Sequence, residues 1–175
     1  APGYGNGESE RLLGEAFAGI RDQVVLATKV PAGQLGASSV RRCCEESLQR
    51  LRTEYIDHYQ VHWSSREVPI AETIGALQSL QDEGKIRAYG VSNFGIQDLA
   101  EALHTGVCVT NQMPYSLLTR AVEFEILPAC REAGVSLLCY SPLAQGLLTG
   151  KFLSPEDVPE GRARTRHFSC NRPQT

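Results

Sequence analysis

The sequence predicts an α/β fold built around a parallel β-sheet, because short apolar runs alternate with stretches of helical period from residue 8 to about residue 150. Its 175 residues, 42% hydrophobic and 21% charged, are enough for one globular domain with a sizeable core. A reactive or hydrogen-bonding side chain also stands at the end of every predicted strand. In parallel α/β folds this edge carries the chemistry, so we expect a site there.

Five segments have the apolar and β-branched composition of buried strands. In chain order they are VVLAT (24–28), YIDHYQVH (55–62), IRAYGV (86–91), VCVTNQ (107–112) and SLLCY (136–140). Because helical stretches separate them, we expect the five strands to pair in parallel.

Three helices between these strands are predicted from apolar residues spaced three and four apart. Their stripes are Val40, Cys44, Leu48 and Leu51; Ile70, Ile74, Leu77 and Leu80; and Ile96, Leu99, Ala100 and Leu103. Ser38 or Ser39 is positioned to cap the first helix, and Gly84 and Gly106 to end the other two. We expect these helices to pack on the sheet.

The first of these helices has an ionic outer face, and a fourth helix contains a proline. The ionic face offers three pairs at i,i+4 spacing: Arg41/Glu45, Arg42/Glu46 and Glu46/Arg50. The fourth helix runs from about residue 123 to residue 133, and Pro128 requires it to restart there because proline clashes with a preceding helical turn.

Residues 1–153 are predicted to form the domain, and residues 154–175 a loop or disordered tail. Beyond Lys151 the sequence contains three prolines and four arginines without periodicity. No repeat and no linker divides the chain into two domains.

Charge, hydropathy and cysteine content exclude several classes of protein. A net charge of −3 gives no attraction to nucleic acid or to an anionic membrane surface. No apolar run approaches the roughly 20 residues that cross a bilayer, and the first residues lack the pattern of a signal peptide. The six cysteines contain no C-x-x-C, and residues such as Cys108 and Cys139 lie in apolar runs, so we expect mostly reduced core thiols and a cytoplasmic protein.

Common catalytic and nucleotide-binding motifs are absent from the sequence. The glycines of GYGNG do not complete G-x-G-x-x-G, since Glu8 stands where the last glycine belongs, and no phosphate-binding P-loop motif occurs. Neither G-x-S-x-G nor H-E-x-x-H is present, and the four histidines are far apart, so the sequence predicts no serine hydrolase and no metal site.

Polar side chains nevertheless gather at the carboxyl ends of the predicted strands. In strand order they are Lys29, His62, Ser92 with Asn93, Gln112, and Tyr140 with Ser141. Taken singly, Lys29 is typical of a solvated charge, His62 of a structural histidine and Tyr4 of an ordinary loop residue. Their convergence at one edge of the sheet favours a functional site.

With these residues assembled, the sequence resembles the aldo-keto reductases over almost its whole length. The matching segments, in order, are YGNGESERLLGEAF, VVLATKV, ESLQRLRTEYIDHYQVHW, GKIRAYGVSNF, NQMPYSLL and CYSPLAQGLLTGK. The last is most similar to the branch that includes general bacterial reductases and the potassium-channel β subunits. The resemblance implies a (β/α)8 TIM barrel that uses NADPH to reduce a small-molecule aldehyde or ketone to an alcohol.

The resemblance also implies a catalytic role for three residues. Tyr4 would be the general acid, Lys29 the cation that favours its phenolate, and His62 the group that orients the carbonyl oxygen, while Trp63 would shape the substrate pocket. This assignment is chemically consistent, because hydride transfer to a carbonyl carbon leaves negative charge on oxygen that needs a proton and nearby donors.

A further set of residues falls where the family binds NADPH. By resemblance, Ser92, Asn93 and Gln112 hold the carboxamide, Tyr140 stacks on the ring, and Ser141, Leu143, Gln145, Lys151 and Arg164 contact the phosphates. The cofactor carries the difficult chemistry, and the protein supplies position and electrostatic field.

The resemblance also implies that parts of the barrel lie outside this sequence. The family motif begins D-T-A-x-x-Y, so Ala1 falls on its third letter and the aspartate that pairs with Lys29 would precede the chain. A complete barrel takes about 250 residues. We therefore expect about five parallel strands, with the first, second and eighth strands of the barrel largely absent, and possible self-association through the open sheet edges.

Two hypotheses about function follow. In the first, the sequence encodes a reductase in which Tyr4, Lys29 and His62 are catalytic. In the second, the chain is a catalytically inactive truncated isoform or fragment that acts as a binding module or has no function. Turnover of NADPH with an aldehyde distinguishes the two.

Overall fold

Helices and strands alternate along residues 1–158, the part of the chain that the computed structural model describes. The strands are β1 (Ala27–Val30), β2 (Ile56–Val61), β3 (Ile86–Ser92), β4 (Thr110–Pro114) and β5 (Ser136–Tyr140). The helices are α1 (Glu8–Ala16), α2 (Ala37–Leu51), α3 (Ile70–Asp82), α4 (Ile96–Thr105) and α5 (Ile126–Glu132). Short 3-10 turns connect several of them.

The five strands form one sheet in the order β1-β2-β3-β4-β5, and every neighbouring pair is parallel. A helix connects each strand to the next, as parallel pairing requires. The prediction of five parallel strands in an α/β fold is therefore confirmed. Within residues 1–158, β1 and β5 are the two edges of the sheet.

Two strand boundaries differ from the sequence prediction by three residues. β1 begins at Ala27, so Lys29 lies inside this strand rather than after it, and β4 begins later than predicted, so Gln112 is at its centre. The apolar residues assigned to the strand starts are in loops, where Val25 is 81% exposed and Val107 is 77% exposed. Apolar composition alone did not show that these residues have no strand partner.

The strands present an apolar face to the helices and a polar face on the other side. Because side chains alternate along a strand, the register places four buried residues together against the helices: Tyr59, Val61, Tyr89 and Val91. The opposite face, hereafter the polar face, carries Lys29, His58, Gln60, Gly90, Ser92, Thr110 and Gln112. At the carboxyl ends of the strands, the polar face reaches the predicted site.

A glycine makes room for a hydrogen bond on the polar face. His58 Nε2 lies 2.8 Å from Thr110 Oγ1, and both residues are buried. Gly90 lies between them on β3, where a Cβ would collide with the Thr110 hydroxyl and lie 2.9 Å from His58 Cε1. The contact between β2 and β4 across β3 therefore depends on a residue without a side chain.

The N-terminus of α2 is capped differently from the prediction. The N-cap residue is Gly36, not Ser38 or Ser39, and no side chain of the cap residue bonds the helix. Instead, Glu72 of α3 accepts a hydrogen bond of 2.8 Å from the Ala37 amide. A carboxylate from the next helix thus satisfies a donor that sequence reasoning assigned to a local serine.

The ionic face of α2 also makes a tertiary contact. Arg41 does not pair with Glu45; it binds Glu83 at 2.5 Å, and Glu45 binds Lys85 at 2.6 Å. The correctly predicted pairs are Arg42–Glu46 at 2.8 Å and Arg50–Glu46 at 3.8 Å. Long side chains therefore connect α2 to the segment that follows α3.

The proline of the last predicted helix lies where proline is tolerated. A 3-10 turn at Ala121–Glu123 ends before α5, which begins at Ile126 and places Pro128 in its first turn. The missing N–H of proline is not needed there, so the expected restart is confirmed.

Four of the described cysteines are buried thiols, whereas Cys139 is exposed. The expectation of mostly buried thiols therefore agrees with the described cysteines, and Cys139 is the exception. Its apolar run forms β5, an edge strand of which several residues are accessible. Cys108 is buried, although it precedes β4 rather than belonging to it.

Residues 159–175, including Arg164, lie outside the described residues, and the boundary after residue 153 remains a prediction. Leu153 and Ser154 donate backbone hydrogen bonds to Asp157, which closes a 3-10 turn at Pro155–Asp157. In residues 1–158 no helix combines the length and apolar character needed to span a bilayer. The same residues contain no group of three His, Cys, Asp or Glu side chains suited to a metal ion.

We predict that Gly90→Ala destabilises the fold by about 1 to 3 kcal/mol, because the added methyl overpacks the contact between His58 and Thr110. The matched control is Gly75→Ala in α3, where a Cβ meets no atom within 4 Å. Alanine there should stabilise by about 0.5 to 1 kcal/mol through its helix propensity. Urea unfolding followed by circular dichroism measures both changes, and equal effects would contradict the packing argument.

Candidate active site

A concavity of about 210 Å³ opens at the carboxyl edge of the sheet. Its lining consists of Tyr4, Lys29, His62, Trp63, Ser92, Asn93, Gln112 and Tyr140. Sequence analysis assigned all eight to a site, although they come from six separate segments of the chain. Parallel pairing is the reason for their proximity, because it brings the carboxyl ends of the strands to one edge.

Tyr4 reaches this concavity from the loop before α1. Three successive residues of the loop, Gly5, Asn6 and Gly7, have positive φ angles, and the Gly7 amide bonds the Pro2 carbonyl at 2.8 Å. The loop therefore folds tightly back on itself. The Tyr4 side chain is 53% exposed, and the centre of its ring is 5.8 Å from that of His62, with the two planes tilted by 59°.

Lys29 places an ammonium group on the wall of the concavity. The residue is half-buried in β1, and burial lowers the pKa of its ammonium. Within residues 1–158, no carboxylate forms an ion pair with Lys29. A partly desolvated cation without a carboxylate is thus directed at the space that Tyr4 and His62 also face.

His62 stands directly after β2, where its amide bonds the Val30 carbonyl at 3.0 Å. Burial lowers the pKa of the imidazole, and the positive charge of Lys29 lowers it further. Since the ordinary histidine pKa is about 6.5, the ring is neutral at pH 7. A neutral imidazole can donate one hydrogen bond to an oxygen atom in the concavity.

Asn93 organises the other wall of the site. Its φ angle is +60°, and its side-chain amide donates to the His62 carbonyl and to Ser92 Oγ, both at 3.0 Å. Its oxygen accepts a bond of 2.8 Å from the Tyr140 hydroxyl. One residue therefore connects the ends of β2, β3 and β5.

Ser92 and Gln112 complete this wall. The Ser92 hydroxyl donates to the Gln112 backbone carbonyl at 3.0 Å, and the backbone amide of Asn93 donates to the same carbonyl at 2.9 Å. Burial raises the pKa of the Tyr140 hydroxyl, and the proximity of Tyr4 adds to this effect. The wall is hence a row of neutral amide and hydroxyl groups beside a half-buried aromatic ring.

Four of the residues predicted to contact phosphates do not line the concavity. Ser141, Leu143, Gln145 and Lys151 lie in the irregular segment after β5, where Ser141 and Gln145 have positive φ angles of 52° and 56°. Leu143, Gln145 and Lys151 are exposed to solvent. The phosphate contacts predicted for these residues would therefore be made on an open surface next to the concavity.

Sequence analysis overlooked Glu10, a carboxylate that is only 1% exposed and lies behind β1. It bonds Thr28, Ser47 and Arg50. A signal for its burial was present, because helical spacing puts Glu10 on the same face of α1 as the packed Leu13 and Phe17. An acidic residue among apolar neighbours on one helix face indicates a buried ion pair.

Comparison with known proteins adds a family to this geometry. The model of the aldo/keto reductase family matches residues 1–174. The chain is 43% identical to the aldo-keto reductase YhdN of Bacillus subtilis over 177 residues, covering 95% of this chain and 53% of the relative. It is 40% identical to the NADH-specific methylglyoxal reductase of Escherichia coli, covering 92% and 56% of the two chains.

The fold matches solved structures of the same kind. The crystal structure of an aldo/keto reductase from Klebsiella pneumoniae in complex with NADP and acetate superposes with a TM-score of 0.78 at 40% identity. The match covers 83% of this chain and 52% of that structure. The chain thus spans about half the length of the curated relatives and of the structure that it matches.

We predict that the free energy of unfolding decreases as pH falls from 7 to 5. Burial and the charge of Lys29 lower the pKa values of both His58 and His62 in the folded chain. Below about 6.5 the unfolded chain therefore binds protons that the folded chain does not, whereas above that pH neither state binds them. Urea unfolding at several pH values measures this slope.

The matched variants for this pH dependence are His62→Gln and His104→Gln. His62→Gln should make the decrease shallower, while His104→Gln, on the exposed face of α4, should leave it unchanged. A steeper decrease in His62→Gln would show that His62 is protonated more readily in the folded chain than in the unfolded one.

Proposed function

The chain belongs to the aldo/keto reductase family, and from this premise we propose that it reduces small aldehydes and ketones to alcohols with NADPH. The observation that carries the proposal is the convergence of phenol, ammonium and imidazole groups on one concavity with an amide-lined wall. A carbonyl group placed there meets a proton donor, a cation and a hydrogen-bond donor at its oxygen. Each of these favours the charge that develops during reduction.

The residues of the site fit a nicotinamide. The side-chain amide of Gln112 and the remaining acceptor sites of Ser92 and Asn93 complement a carboxamide, and the ring of Tyr140 offers a flat surface for stacking. When bound, NADPH supplies the hydride for the carbonyl carbon. The solved Klebsiella pneumoniae relative contains NADP, whereas the Escherichia coli relative is NADH-specific, so both cofactors belong in the test.

The residues of the chain then divide the remaining chemistry. Tyr4 donates its hydroxyl proton to the carbonyl oxygen, and Lys29 stabilises the phenolate that remains. His62, neutral at pH 7, donates a hydrogen bond that orients the same oxygen. Because Tyr4 is half-exposed, solvent can return its proton after each turnover.

The substrate that fits best is a small carbonyl compound. A concavity of about 210 Å³ accommodates only a few non-hydrogen atoms next to a stacked ring. Trp63 is 51% exposed at the rim and presents an apolar surface to the substrate. The methylglyoxal reductase among the relatives acts on a compound of this size, so methylglyoxal is a suitable first substrate.

We predict that the purified chain oxidises NADPH in the presence of methylglyoxal, and that Tyr4→Phe lowers the rate by about 100- to 10,000-fold. The loss of nicotinamide absorbance measures the rate. Quenching of Trp63, the single tryptophan, measures cofactor binding separately. Tyr4→Phe should retain that quenching, because phenylalanine keeps the ring and removes only the proton donor.

The matched control is Tyr55→Phe. Tyr55 lies at the opposite end of β2, where the guanidinium groups of Arg21 and Arg87 lie 4.1 and 3.9 Å from its ring centre. This variant should reduce substrate at the rate of the parent chain. Equal rates for Tyr4→Phe and the parent would refute the role of Tyr4 as general acid.

A second candidate function is that of a binding module without catalysis. Apolar side chains on the β5 side of the sheet favour it, since Leu117 is 82% and Phe124 is 83% exposed. A hollow of about 500 Å³ bordered by Leu117, Tyr115 and Pro142 lies on the same side. Exposed apolar groups next to an edge strand favour association with another copy of the chain or another partner.

We predict that the chain self-associates and that Phe124→Ser combined with Leu117→Ser shifts it toward the monomer, because the substitutions remove the most exposed apolar groups near β5. Light scattering after size exclusion measures the mass. Val107→Ser is the control, since Val107 is 77% exposed in a different loop. A parent chain that remains monomeric at every concentration tested would contradict this prediction.

We also propose that the protein is cytoplasmic and binds no nucleic acid. Five described cysteines are free thiols, which suits a reducing compartment. The net charge of −3 gives no attraction to a polyanion.

A further inference from the structure

Glu10 is a buried carboxylate that the proposed reaction does not use. It lies in α1, is 1% exposed, and therefore requires partners that compensate for the loss of hydration. Its Oε1 accepts hydrogen bonds from the hydroxyls of Thr28 at 2.5 Å and Ser47 at 3.0 Å. Its Oε2 accepts a bond of 2.6 Å from Arg50 Nε.

These partners belong to two other elements, so Glu10 joins α1 to both through hydrogen bonds. Thr28 is in β1, and Ser47 and Arg50 are in α2. Among the hydrogen bonds of residues 1–158, only one other side-chain contact joins α1 to the rest of the protein, the exposed pair of Glu15 with Arg52. Glu10 is consequently the buried polar anchor of α1, next to the apolar packing of Leu13.

Close packing of the α1 backbone against the end of α2 determines the position of Glu10. A Cβ at Gly14 of α1 would lie 2.7 Å from the carbonyl oxygens of Arg50 and Leu51, and one at Gly7 would lie 2.8 Å from the Arg50 side chain. α1 therefore lies directly on the end of α2. In this position Glu10 faces Thr28 and Arg50 together.

Glu10 is connected on one side to the loop that carries Tyr4 and on the other side to the strand that carries Lys29. α1 follows directly from the loop of Tyr4, and the Ser9 amide of α1 bonds the Tyr4 carbonyl at 3.3 Å. Thr28 is next to Lys29, and since side chains alternate along β1, the Thr28 hydroxyl points to Glu10 while Lys29 faces the concavity. A single carboxylate thus links the Tyr4 loop to the strand of Lys29.

We propose that Glu10 is a positioning residue that holds the Tyr4 loop in register with Lys29 through the Thr28 hydroxyl. The importance of this register for catalysis rests on the function proposed above. A misplacement of about 1 Å in a reacting group can lower a rate about 100-fold. Because Glu10 bonds Thr28, the residue next to Lys29, its position is significant for turnover. The residues that fit the cofactor lie on β3 to β5 and do not contact Glu10.

The test compares Glu10→Gln with Glu15→Gln on the same helix. Glutamine keeps the size of the side chain but places an amide group against Arg50 or the hydroxyls, whereas the bonds of Glu15, to Arg11 and Arg52, are exposed. In Glu10→Gln, amide hydrogen exchange in residues 4–9 should accelerate by about tenfold or more, with β3 unchanged. Glu15→Gln should match the parent chain.

Kinetics provide a second measurement. In Glu10→Gln we expect kcat to fall by about 10- to 100-fold, while the NADPH dissociation constant from Trp63 quenching changes by less than about twofold. Thr28→Val, which removes only the hydroxyl, should reproduce the loss of kcat, and Ser47→Ala should have a smaller effect. Thr28→Val also tests the proposal if Glu10→Gln does not fold.

The two proposals can fail separately. If the parent chain does not turn over NADPH, the proposed function fails, and hydrogen exchange still decides whether Glu10 holds the Tyr4 loop. Equal exchange of residues 4–9 in the parent and in both the Glu10→Gln and Thr28→Val variants would overturn the positioning role, whatever the activity.

Discussion

Parallel pairing of the five strands is the constraint on which the site depends. Each strand ends at the same edge, so side chains from distant segments meet without any local sequence signal. Tyr4 is the exception, because it comes from a loop before the first described strand and must be held by its own contacts. The concavity therefore has a wall fixed by the sheet, which includes Asn93 and Tyr140, and a wall that depends on how α1 docks.

The interior of this sheet is held by polar contacts as well as apolar packing. On the helix side, residues such as Tyr59 and Val91 are fully buried. On the polar face, His58 and Thr110 bond each other across Gly90, and Gln60 extends to the Val91 carbonyl at 3.4 Å. Buried polar groups require specific geometry to be satisfied, so these contacts define the relative positions of β2, β3 and β4 closely.

The sequence was sufficient for the fold class and for the members of the site, but not for boundaries or tertiary bonds. Periodicity located α2, α3 and α4 because an apolar stripe must face the sheet, and strand ends indicated Lys29, His62 and Asn93. Strand prediction from apolar composition failed at Val25 and Val107, which lie exposed in loops. Composition does not show whether a residue has a partner in a neighbouring strand. Sequence analysis also missed the Glu72 contact to Ala37, because it joins residues distant in the chain, and it overlooked the burial of Glu10 although the spacing along α1 indicated it.

The bond between Tyr140 and Asn93 has a consequence for molecular selection. Because the phenolic oxygen is already engaged at 2.8 Å, the surface that the side chain offers to a guest molecule is the face of its ring. This hydrogen bond also restricts rotation about the side-chain bonds of Tyr140, which favours one orientation of its ring. A flat ring surface packs more closely against planar groups than against puckered or branched ones.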